Sequence, residues 1–180
     1  MTEFVMRPVS LADATHAALI QREMLQDSNF RFFLEDFSPE ESFANYVQRL
    51  ADAALGKNLR EGHVPATFLV AEIDRMIAGR VSIRHELNDF LLHQGGHIGY
   101  GVRPQFRGRG LATAMLRHGI QHLQARGVHR ILVTCDDANI ASATVIEKCG
   151  GVLENIIEVD GELLRRYWIT ADLQDARQND

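Results

Sequence analysis

Apolar residues recur at helical spacing most clearly between Leu111 and Arg126. Ala112, Met115, Leu116, Gly119, Ile120 and Leu123 fall on one face, and Gly127 follows as a stop. The spacing predicts a helix over 111–126. An earlier helix follows Ser10, with Asp13 three residues on and apolar positions at Ala14, Ala17, Ala18 and Leu25. Another opens at Ser38-Pro39-Glu40-Glu41, with Ser38 as cap, Pro39 in the first turn and Phe43, Val47, Leu50 and Ala54 as its buried stripe. A last helix runs from an Asn139 cap to Lys148 and ends at Gly150-Gly151.

Strand patterns fill the intervals. Phe4–Pro8 is short, and Thr67–Ile73 and Met76–His85 form a hairpin about Asp74-Arg75. Leu87–Gly96 reads as a loop leading to a strand over His97–Val102. The apolar run Ile131–Cys135 suits a buried central strand. Val152–Val159 and Leu163–Thr170 form a hairpin about Asp160-Gly161. The order is strand, two helices, three strands, helix, strand, helix, two strands. Hairpins combined with one strand–helix–strand crossover predict an α/β (α+β mixed) domain around a mixed, mostly antiparallel sheet of about seven strands. No repeat or composition break divides the chain, so one domain is expected over 1–171, with a polar tail over 172–180.

Composition narrows the partners. The 180 residues, 46% of them hydrophobic, suffice for a full core. A net charge of −5 disfavours nucleic acid, whose phosphates require a basic face. Cys135 and Cys149 stand without a CxxC pair or Cys/His ligand spacing, so neither a disulfide framework nor a metal is expected. The first ten residues lack the basic and apolar regions of a signal peptide, and no apolar run reaches the ~20 residues of a membrane span. These features fit a cytoplasmic protein.

The stretch richest in chemistry is Gly99-Tyr-Gly-Val-Arg-Pro-Gln-Phe-Arg-Gly-Arg-Gly-Leu-Ala112. Pro104 ends a strand, and a loop with Gly108 and Gly110 opens the long helix. Glycines allow the backbone to approach a bulky anion, and the free amides of the first turn point at it along the helix dipole. Arg103, Arg107 and Arg109 add positive charge. A dinucleotide fingerprint fails, because Gly108-x-Gly110 is followed by Thr113 and separated from the strand by 103–107. A P-loop fails for want of Gly-Lys-Ser/Thr.

The stretch resembles the GNAT acetyltransferase superfamily, whose Arg/Gln-x-x-Gly-x-Gly/Ala signature is met by Arg107-Gly-Arg-Gly110-Leu-Ala112 and, in a second frame, by Gln105-x-x-Gly108-x-Gly110. Asn139-Ile-Ala-Ser142 and Glu147-Lys148-x-Gly150 are similar to a further helix of that family, and the element order matches over nearly the whole chain. More loosely, Arg84-His85-Glu86-Leu87-Asn88 with Gly95-Gly96-His97-Ile98-Gly99-Tyr100 resembles a bacterial subgroup of predicted acetyltransferases without settled substrates.

The resemblance implies a splay between strands four and five and an acetyl-CoA site within it. Val102 would pair with pantetheine, Gly108, Arg109, Gly110, Leu111 and Ala112 would hold the pyrophosphate with Arg107 nearby, and Asn139 and Ser142 would touch the pantetheine arm. The acceptor would be an amine on a small molecule or peptide, and the protein a monomer or homodimer. Where many relatives carry a tyrosine thought to protonate the departing thiolate, this chain has Ile146.

Acetyl transfer to an amine, which titrates near ~10, is helped by a base. His97, with His85 and Glu86 at the end of the preceding strand, are candidates, and each histidine also has a structural reading. Tyr167 is a candidate proton donor or packing residue, and Tyr100 a site wall or core filler. Cys135 and Cys149 read as small core residues. Phe30–Phe37, with four phenylalanines beside Glu35 and Asp36, either borders an amine pocket or pins a connection. A non-catalytic acyl-CoA-binding module is the competing class, followed by a nucleotide-binding regulator.

Overall fold

The computed structural model describes residues 4–33 and 42–170. The strands are β1 (Val5–Pro8), β2 (Ala66–Ile73), β3 (Met76–Arg84), β4 (Ile98–Val102), β5 (Arg130–Asp136), β6 (Gly151–Val159) and β7 (Glu162–Thr170). The helices are α1 (Ala14–Ser28), α2 (Phe43–Ala54), α3 (Leu111–Gln124) and α4 (Ile140–Lys148). Both hairpins turn where the sequence placed them. Asp74 and Arg75 adopt φ of 50° and 63°, and Asp160 and Gly161 adopt 52° and 84°, the left-handed pair that matches strand twist.

The seven strands divide into two antiparallel sheets, ordered β1-β2-β3-β4 and β5-β7-β6. No backbone ladder joins β4 to β5, so the expected single sheet is interrupted there. The four-stranded sheet is covered on both faces. Val81, Ile83 and Ile98 pack with Met115, Leu116 and Leu123 of α3, while Phe68 and Val70 pack with Phe32, Phe33 and Tyr46 on the other side. Alternation along β2 and β3 produces this division. Gly119 allows α3 close to β4, since a Cβ there would stand 3.0 Å from Ile98 Cδ1.

Helix α2 is capped by Ser42, whose Oγ accepts from the Asn45 N–H at 3.2 Å. Ser38, the acidic part of the aromatic segment and the tail from Asp172 lie outside the described residues. The expected loop after β3 contains one wide helical turn, Leu91–Gly95, that leads the chain into β4.

Candidate functional site

Strands β4 and β5 meet at one residue and then part. The His97 N–H donates to the Leu132 carbonyl at 2.7 Å, and the Leu132 N–H donates to His97 Nδ1 at 2.9 Å. The imidazole thus takes the place of a missing backbone carbonyl and closes the apex of the splay. His97 is 4% exposed, and burial depresses its pKa to about 4, with Arg84 acting in the same direction. It is neutral at physiological pH.

Toward Val102 the splay opens into a cleft of about 650 Å³. Its walls include Phe30, Tyr100, Val102, the Gly108–Gly110 loop, the first turn of α3 and the Asn139–Ser142 end of α4. The register places Gly99 opposite Ser82 and Gly101 opposite Arg80. Strand alternation therefore directs the peptide groups of Gly99 and Gly101 at β3 and those of Tyr100 and Val102 into the splay.

Gly108 and Gly110 have φ of 72° and 79°, and Gly110 is the N-cap of α3. No Cβ neighbour lies within 4 Å of either, so backbone conformation and not crowding calls for glycine. The amides from Gly108 to Thr113 have no acceptor among the described residues; the first bond after them is Ala114 N–H to Gly110 C=O. This is a row of donors at a helix N-terminus, facing a cleft.

The neighbouring arginines are deployed unequally. Arg103 pairs with Glu23 of α1 and donates to the Ile77 carbonyl. Arg107 donates from Nε to the Val102 carbonyl at 3.0 Å and pairs with Asp27. The expected pantetheine acceptor on Val102 is therefore already engaged, while its N–H side remains toward the splay. Arg109 is exposed and lies over the Phe106 ring, 5.9 Å from its centroid.

At the mouth, Tyr100 Oη lies 2.8 Å from Ser142 Oγ and 3.3 Å from the Ser142 carbonyl. Burial pushes the Tyr100 pKa up to about 12, partly offset by Ser142. Asn139 Oδ1 accepts from the Ser142 N–H at 3.0 Å, so this side chain first caps α4. Ile146, at the position where relatives carry tyrosine, is fully buried in the core and does not line the cleft. Burial raises the Cys135 thiol to about 11, and Cys149 also titrates high, so both stay protonated near neutrality.

The other predicted residues do not converge on the cleft. His85 Nε2 lies 2.8 Å from Thr67 Oγ1, which also contacts His122 in the last turn of α3. That cluster is about 16 Å along the helix from the glycine loop, at the far end. Glu86 is exposed beside it. Tyr167 is 1% exposed and donates to Glu147 Oε1 at 3.0 Å behind α4. Sequence reasoning gave Tyr100 no hydrogen-bonding role; its position two residues before Val102, on the same face, was the available signal.

The described chain is matched by the acetyltransferase (GNAT) domain family over residues 3–152, and it belongs to that family. An acetyltransferase of Photorhabdus laumondii is 34% identical over 86 residues, 48% of this chain and 57% of that protein. The match thus spans little more than half of that relative. RimJ of Mycobacterium smegmatis, solved with CoA-disulfide, superposes with a TM-score of 0.65 at 26% identity, covering 93% of this chain and 82% of the other. A GNAT acetyltransferase from Streptococcus pneumoniae gives a TM-score of 0.67 at 18% identity, covering 94% and 100%. No helix among the described residues is long and apolar enough to cross a membrane.

Proposed function

We propose that this protein transfers an acetyl group from acetyl-CoA to an amine by direct attack. The observation that carries the reading is the row of unengaged amides from Gly108 to Thr113 at the rim of the splay. They suit the pyrophosphate, with Arg109 free to add charge. The pantetheine arm lies along β4, where the peptide groups of Tyr100 and Val102 face the gap.

The amine lone pair attacks the thioester carbon, a C–N bond forms, and the C–S bond breaks. The nitrogen proton passes to solvent or to the sulfur. The Tyr100 hydroxyl, beside Ser142, stabilises the departing thiolate by hydrogen bonding. With a pKa near 12, against ~8.5 for a thiol, it keeps its proton and does not surrender it. Among the described residues lining the cleft there is no histidine or carboxylate. His97 serves this reading by holding the apex, and His85 and Tyr167 by packing, while Glu86 stays on the surface.

Gly110→Asp and Gly110→Asn form the test, because both residue types tolerate a left-handed backbone. Only Asp places a negative charge on the phosphate site. Calorimetry should show acetyl-CoA affinity about 100-fold weaker for Asp and within about tenfold of wild type for Asn. Equal affinities for the two variants would remove the site from this loop.

A further inference from the structure

On the face of β4 opposite Tyr100, two guanidinium groups converge without an acid among the described residues. Arg80 and Arg84 are two residues apart on β3 and share a face with Ser82 between them. A Cβ on Gly99 would stand 3.2 Å from Arg84 Nη1 and 3.7 Å from Arg80 Nη1, so both groups approach one point beside the β4 backbone. Arg80 is 6% exposed and stacks over Phe30 at 4.6 Å, the ring that also walls the cleft. Its Nη1 and Nη2 donate to the Gly99 and Arg31 carbonyls at 3.3 and 3.1 Å. Its Nε is buried with no partner. Arg84 makes no side-chain hydrogen bond and no ion pair among the described residues, and it is only half-buried.

Buried charges are ordinarily paired, and two like charges side by side raise each other's cost. Burial and the neighbouring Arg84 both lower the proton affinity of Arg80; Tyr46 opposes them, and no carboxylate among the described residues does. The arginines of the cofactor side behave oppositely, each of Arg103 and Arg107 holding a carboxylate.

We infer that Arg80 and Arg84 seat an anionic group, a carboxylate or phosphate, carried by the acceptor amine. This rests on the acetyltransferase reading above and narrows it. The acceptor anion occupies the α1–α2 face of β4, and its amine reaches toward the thioester in the splay past the edge of Phe30, whose ring fills the space over Gly101. Phe30 separates the two compartments. Arg84, the less buried of the two, makes the first contact, and the unpartnered Nε of Arg80 completes it.

Paired acceptors that differ only in the anion provide the test: phenethylamine against phenylalanine, and ethanolamine against O-phosphoethanolamine. In at least one pair the anionic member should have about tenfold higher kcat/KM, and Arg84→Gln should compress that ratio by a similar factor, with Arg84→Lys between. Which pair responds distinguishes carboxylate from phosphate. A direct arm uses inorganic phosphate and acetate against chloride at matched ionic strength, with CoA saturating. Either anion should raise the Tm of wild type and not that of Arg84→Gln.

If the ratios are near one, or both members of a pair fall together in Arg84→Gln, the inference is overturned. If no amine turns over, the direct arm decides: equal Tm shifts in wild type and variant overturn it. Failure of the acetyltransferase reading is separate, since it appears as acetyl-CoA affinity indifferent to Gly110→Asp.

Discussion

The two ends of the β4–β5 splay are built from opposite materials. At the apex, His97 is buried, neutral and satisfied, and it ties two sheets together through Leu132. At the mouth, three residues on, Tyr100 is held by Ser142 at the cleft wall, and the backbone amides from Gly108 to Thr113 have no acceptor among the described residues. The apex spends its polar groups on the fold, whereas the mouth keeps them for a ligand. Variants at the apex should therefore register in stability and variants at the mouth in binding or turnover.

The largest effect is expected for His97→Ala. It leaves the Leu132 N–H buried without an acceptor and opens a cavity, at a cost of roughly 3 kcal/mol. Denaturant unfolding should show it, with kcat in the folded fraction near wild type. A full loss of turnover without destabilisation would reverse the assignment of the apex.

Acid should attack the same end. The His97 pKa is depressed from 6.5 to about 4, so the unfolded chain binds the proton first as pH falls. Stability is complete above about pH 6.5 and declines from there to about pH 4, by roughly 3 kcal/mol from this residue. His97→Gln keeps an acceptor but does not titrate, so the slope of Tm against pH should flatten across that window.

Tyr100→Phe probes the mouth. Removing one hydrogen bond to the developing thiolate should lower kcat about tenfold and alter unfolding by no more than about 1 kcal/mol. A similar fall in stability and an unchanged kcat would make this residue part of the apex-like scaffold.

Arg107→Ala should be mildest, raising the acetyl-CoA KM about threefold. Its guanidinium serves Val102 and Asp27 and meets the phosphates only through the field it adds.

Legibility followed how local each determinant is. Helix α3, both hairpin turns and the glycine loop rest on neighbours in sequence, so periodicity and turn chemistry revealed them. The function of His97 depended on a tertiary fact, that its side chain stands in for a backbone carbonyl and accepts from a strand thirty-five residues away. The histidine's titration range suggested a base, and only its burial and partner assign it elsewhere. His85 looked adjacent for a similar reason, yet it turns to Thr67 and His122. The Arg80–Arg84 pair was written in the alternation of β3, but the lack of an acid among the described residues is visible only when the surroundings are known. The cap at Ser42 was obscured by Ser38-Pro39, a stronger local signal.

The closed apex also makes the splay a ruler. Five residues separate Val102 from His97, about 17 Å of extended strand. The lining of the cleft reaches Tyr100 and stops short of Ile98, and the imidazole closes the gap beyond. Under the proposed function, acyl-CoAs with chains longer than acetyl should therefore turn over more slowly, because the register of two strands leaves them no further gap to occupy.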